Sequence, residues 1–123
     1  MQRTIIIDDE LIGISTLKIL IERYTPTLNV IATTDDPEEG IKLIEDFRPD
    51  VVFLDISMPK MDGFELLDKL SYKDFNLIFT TAHEESAINT LKSETYNYLL
   101  KPIDIDELKA CANNIAKELR ESI

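Results

Sequence analysis

The chain has a single cysteine, Cys111, among 123 residues. One thiol cannot form an internal disulfide, and the composition suits a reducing compartment. No histidine or second cysteine lies near Cys111 in sequence, so it reads as an ordinary helix thiol rather than a ligand or nucleophile. Long hydrophobic runs are missing too. Val51–Leu54 is typical of those present, far below the roughly 20 residues that span a bilayer. The start, Met-Gln-Arg-Thr, leads into only three isoleucines, which is not a signal peptide, so a cytoplasmic protein is expected. Glycine occurs only at Gly13, Gly40 and Gly63. That leaves no G-x-x-x-x-G-K-[ST] loop and excludes a P-loop nucleotide hydrolase. Positive charge is scarce as well: 13 Lys and Arg face 24 Asp and Glu, for a net charge of −11. Such a balance argues against a nucleic-acid backbone as a direct partner.

What is present is a regular alternation. With 44% hydrophobic residues the chain can bury a core, and its length suits one domain over residues 1–123. Ile5–Ile7, Val30–Ala32, Val51–Leu54, Leu77–Phe79 and Tyr98–Leu100 are nearly continuous apolar runs. Strands covered on both faces look like this. Between them, Leu11, Ile14, Leu17, Ile21 and Tyr24 form a stripe at helical spacing. Ile105, Leu108, Ala112, Ile115 and Leu119 form another. Asp36 before Pro37, Glu38 and Glu39 marks a helix start, as does Asp104 followed by Glu107. Pro26 and Pro49 mark places where a helix has ended. Five strand–helix units with right-handed crossovers give a doubly wound parallel α/β sheet.

Ligands of such sheets bind beyond the carboxyl ends of the strands. Asp8, Asp9 and Glu10 follow the first strand, Asp55 the third, Thr80 and Thr81 the fourth, and Lys101-Pro102 the fifth. Each alone has an ordinary explanation. The acidic triplet could cap the first helix, Asp55 could be a turn residue, and Thr81 a cap. Together they place carboxylates, a hydroxyl and a lysine on one edge. Clustered carboxylates repel unless compensated, and a lysine with a hard divalent cation such as Mg²⁺ would compensate them.

At these residues the chain resembles a known family. The stretches Ile5–Glu10, Val51–Gly63, Thr80–Ala82 and Tyr98–Pro102 are similar, in order and spacing, to the response-regulator receiver domain of two-component signalling. The resemblance implies a flavodoxin-like (βα)5 fold with strand order 2-1-3-4-5. It implies Asp55 as acceptor of a phosphoryl group from a sensor histidine kinase, and no enzyme activity beyond the domain's own phosphorylation and dephosphorylation. Asp9 would hold Mg²⁺ directly and Asp8 mostly through water, with Asp55 and the Ser57 backbone carbonyl completing the protein ligands. Lys101 would pair with Asp55 and then with the phosphoryl group. Gly63, with Met58 and Pro59, would shape the loop after Asp55, and the Lys101–Pro102 bond would be cis. Thr81 and Tyr98 would form the switch, and the face of the fourth helix, fifth strand and fifth helix would dimerise.

Within the family, Phe79–Ile88 and Tyr98–Ile103 are most similar to receivers of LytTR-type transcription regulators, although no DNA-binding domain is present in this chain. A stand-alone receiver acting by docking is the alternative output. Glu94-Thr95 stand where the family often has Gly-Ala, and His83 and Ser57 occupy positions that tune acyl-phosphate lifetime. An aspartate-nucleophile phosphatase would carry a second Asp where Ser57 stands. A degenerate receiver would have lost one of the acids or the lysine, and this chain keeps them all.

Overall fold

A computed structural model describes residues 1–82, 85–93 and 96–121, with the side chains of 85–87 and 117–121 outside the description. Five strands alternate with five helices. They are β1 (Gln2–Ile7), α1 (Leu11–Tyr24), β2 (Leu28–Thr34), α2 (Pro37–Phe47), β3 (Val51–Asp55), α3 (Gly63–Lys69), β4 (Asn76–Thr81), α4 (Glu85–Ser93), β5 (Asn97–Leu100) and α5 (Ile105–Glu121). The strands form one sheet in the order β2-β1-β3-β4-β5, all neighbours parallel. This is the doubly wound, flavodoxin-like order expected.

The sheet separates two cores. Ile14, Leu17 and Ile21 of α1 and Leu108, Ala112 and Ile115 of α5 pack on Ile6, Val51, Phe53 and Ile78. On the other face, Ile44, Leu66 and Leu91 of α2, α3 and α4 pack on Ile5, Ile7, Leu54 and Phe79. Alternation along β1, β3 and β4 sends neighbouring residues to opposite cores, which is why those strands are apolar throughout.

Helix starts follow the expected chemistry. The Asp36 carboxylate accepts from the Glu38 N–H at 3.2 Å, and Asp104 does the same for Glu107 at 3.0 Å. A third cap, Asp62 accepting from Glu65 N–H at 2.8 Å, opens α3. α2 ends on Arg48 in the left-handed region (φ 46°), and its N–H closes the last turn onto the Ile44 carbonyl.

Two expectations are corrected. Leu11 and Ile105 head the two apolar stripes but are exposed, at 66% and 36%. Each occupies the first helical position, before the helix axis has carried its apolar face over the sheet. Asp55, Thr80 and Thr81 are the last residues of β3 and β4 rather than residues following them, because Asp55 pairs with Thr80 and Leu100 with Thr81 in the ladder. His83, Glu94 and Thr95 lie outside the described residues.

Candidate phosphorylation site

The carboxyl ends of β1, β3, β4 and β5 bring the polar residues together as the alternation requires. Asp55 closes β3, the central strand, in which every residue is buried; its own exposure is 3%. Its Oδ1 accepts from the Ser57 N–H at 3.3 Å, a local turn that holds the carboxylate in place. The Ile56 N–H is held by the Thr80 carbonyl, and the Gly63 N–H by the Ile56 carbonyl. The loop from 56 to 62 is thereby anchored at both ends. Gly63 is needed there: a Cβ would stand 2.8 Å from the Asp55 carbonyl oxygen and 3.2 Å from the Ile56 Cα, backbone atoms that cannot give way. Within the loop Met58 and Met61 are buried, while Ser57, Pro59 and Lys60 face solvent.

Asp8, at the end of β1, is 4% exposed. Lys101 Nζ lies 2.8 Å from Asp8 Oδ2 and 3.5 Å from Asp55 Oδ2. The lysine therefore bridges both carboxylates and sits closer to Asp8 than to Asp55. It arrives from the end of β5, where its N–H is held by the Thr81 carbonyl at 2.8 Å and the Lys101–Pro102 bond is cis. Asp8 Oδ1 accepts from the Glu10 N–H at 2.9 Å, just before α1. Both Asp8 oxygens are thus engaged. Asp9, half-buried, borders a cleft with Asp35, Asp36, Pro59 and Lys60.

The electrostatics are those of a crowded acidic site. Burial, then the charge of Asp8, push the Asp55 carboxyl up to about 8; Lys101 opposes this and Asp9 adds to it. Partial burial of Lys101 works against its charge, but the hydrogen bond to Asp8 and the charges of Asp55 and Asp8 outweigh it. Its pKa accordingly lies above the ordinary lysine value. Carboxylate oxygens of Asp8, Asp9 and Glu10 all come within 4.8 Å of one another. This oxygen-rich set, with one lysine for its several negative charges, suits a hard cation. The raised Asp55 pKa reflects burial first and, after it, the Asp8 charge, which the lysine only partly offsets.

Thr81 is fully buried, and its hydroxyl donates to the Ala82 carbonyl at 2.8 Å. Tyr98 is half-buried against the core of α2, α3 and α4. Thr80, on the opposite face of β4, lines a cleft of about 240 Å³ with Asp8, Gly13, Lys101 and Ile103. Two contributors went unread in the sequence. One is the Glu10 backbone N–H, signalled only by its place two residues after an Asp. The other is Gly13, signalled only as a glycine in a helix's first turn.

Acids, lysine and hydroxyl meet at the ends of a sheet ordered 2-1-3-4-5, and the response regulator receiver domain family matches residues 4–113. The chain belongs to that family. An uncharacterized response regulatory protein of Vibrio cholerae is 34% identical over 121 residues, covering 97% of this chain and 46% of the relative. The transcriptional regulatory protein BtsR of Shigella flexneri is 32% identical, covering 96% of this chain and 49% of BtsR. The receiver domain of AraT, a response regulator from Geobacillus stearothermophilus, superimposes with a TM-score of 0.85 at 30% identity, covering 98% of this chain and 97% of that one. The chain spans about half the length of the curated relatives. Receiver domains generally bind Mg²⁺ at an acidic site, and an acidic cluster of Asp8, Asp9 and Glu10 is present here. Among the described residues, no helix is long and apolar enough to cross a membrane.

Proposed function

We propose that residues 1–123 form a receiver domain that takes a phosphoryl group from a sensor histidine kinase onto Asp55. The observation that carries this reading is the Lys101 ammonium, 2.8 Å from Asp8 and 3.5 Å from Asp55. A buried carboxylate flanked by acids and a lysine is suited to phosphoryl transfer, which needs positioning and charge neutralisation more than covalent help. Asp9, Asp55 and the Ser57 backbone carbonyl would hold Mg²⁺ directly, and Asp8 through water, since Lys101 and the Glu10 N–H engage both its oxygens. When bound, the cation would supply charge neutralisation for the transferring group. Asp55 forms the new carboxylate–phosphorus bond while the donor's bond to phosphorus breaks. Lys101 follows the negative charge onto the phosphoryl oxygens. Pro59, Gly63 and Pro102 keep the loop and the lysine in place. The domain's chemistry is confined to gaining and losing this group, in the cytoplasm.

Incubation with acetyl phosphate and Mg²⁺ tests the reading. The wild-type chain gains the mass of one phosphoryl group and Asp55→Asn gains none. Equal gains in the two chains sink it.

The output follows from the switch. Once Asp55 is phosphorylated, Thr81 releases the Ala82 carbonyl and donates to a phosphoryl oxygen. Tyr98 then turns inward, and the face of α4, β5 and α5 pairs with a second copy. A groove of about 390 Å³ along Tyr98, Cys111, Asn114 and Ile115 supports that face as an interface. Thr81→Ala is expected to take up the phosphoryl group and remain monomeric by sedimentation; normal dimerisation would refute the relay. The relatives' greater length and the BtsR name support a transcription-regulating output, of LytTR type by the sequence resemblance. This acidic domain itself makes no nucleic-acid contact.

A further inference from the structure

The Asp8 carboxylate rests against the first turn of α1, over Gly13. A Cβ built on Gly13 would stand 2.7 Å from Asp8 Oδ2, 3.2 Å from Cγ and 3.5 Å from Oδ1. The first separation is closer than carbon and oxygen approach each other. Helix backbone is anchored here, with Ile14 N–H on the Glu10 carbonyl and Ile14 and Leu17 in the core. The part that can move is the carboxylate. Its Oδ2 is the oxygen that holds Lys101 at 2.8 Å.

Nothing in the backbone calls for glycine at this position, because no glycine in the chain has a positive φ. Helix interiors favour alanine over glycine. The space above Gly13 is therefore what calls for glycine, and Asp8 fills it.

We propose that Gly13 is a positioning residue: it lets Asp8 close onto Lys101 and so sets how Asp8 is shared between the lysine and a bound cation. This rests on the cation reading of the acidic site. With Gly13, the lysine stays nearer Asp8 than Asp55, and one Asp8 oxygen is withheld from the cation. A methyl group at position 13 displaces Oδ2 and breaks its contact with Lys101. The displaced carboxylate then serves the cation better.

Mg²⁺ affinity is the readout, measured by calorimetry on wild type, Gly13→Ala, Lys101→Met and the double variant. Gly13→Ser provides the same displacement with a second side chain. Gly13→Ala is expected to bind Mg²⁺ about fivefold more tightly, the scale of one net hydrogen bond. The gain vanishes in the Lys101→Met background, where Asp8 has no lysine to lose. A role confined to helix propensity would change the melting temperature equally in both backgrounds and leave Mg²⁺ affinity alone. Unchanged or weaker binding by both Gly13 variants overturns the inference, as does an equal gain with and without Lys101. Absence of Mg²⁺ binding by the wild-type chain would instead sink the cation reading, and this inference with it.

Discussion

Lys101→Met takes up a phosphoryl group on Asp55 at least about 10²-fold more slowly than wild type, the scale for losing one preorganised charge-stabilising donor. Methionine keeps an unbranched stem of similar reach, so what is lost is the ammonium. Two consequences act together. The transferring group carries its negative charge on three oxygens, and the one protein cation beside Asp55 among the described residues would be gone. Removing it also leaves burial and Asp8 unopposed in raising the Asp55 pKa, so less of the nucleophilic carboxylate exists at neutral pH. The rate in Lys101→Met should therefore climb with pH further than in wild type. Intact-mass time courses at fixed Mg²⁺ and donor, at several pH values, measure both effects. A rate within about twofold of wild type would show that the lysine is a structural counter-ion only.

Asp55→Asn is expected to raise the melting temperature of the metal-free chain by several degrees at alkaline pH, and the gain should shrink as pH falls. The folded chain pushes this carboxyl from 3.8 up to about 8, so between those values the folded state holds a proton that the unfolded state has released. Stability that depends on this proton is fully present below the unfolded value and declines as pH rises. It is gone once pH has passed the folded value of about 8. Asparagine has no proton to lose and escapes the decline. The difference between the two chains is therefore smallest near pH 4 and full above about pH 8. Saturating Mg²⁺ narrows it, because the cation favours the ionised carboxylate. Calorimetric melts across pH, with and without Mg²⁺, provide the check. A gap that does not vary with pH would mean that Asp55 is ionised throughout.

Much of this site is legible in the chain before any coordinates. Ile5–Ile7, Val51–Leu54 and Leu77–Phe79 announce strands because both faces are covered, and a parallel sheet puts the next residue of each strand at one edge. Asp8, Asp55, Thr80 and Lys101 then converge by topology alone. What stayed hidden depends on side-chain direction or on where a helix begins. That Lys101 leans toward Asp8 follows from a carboxylate resting over Gly13, five residues away in sequence. Asp62 as a cap is obscured by the irregular Met58–Met61 loop before it. Leu11 and Ile105 satisfy helical spacing perfectly well, yet spacing does not say which turn of a helix reaches the sheet.

The central strand β3 is buried from Val51 to Asp55, with α1 and α5 on one side and α2, α3 and α4 on the other. Asp55 lies at the carboxyl end of that strand, beside Lys101 and ahead of the loop from 56 to 62, so among the described residues the covering helices leave the strand's end as the side from which a phosphoryl donor comes. Burying the acceptor in the sheet's central strand makes its reactivity hostage to the fold: a change that loosens the packing on either face of β3 would blur the acceptor's position before it touched any charged group.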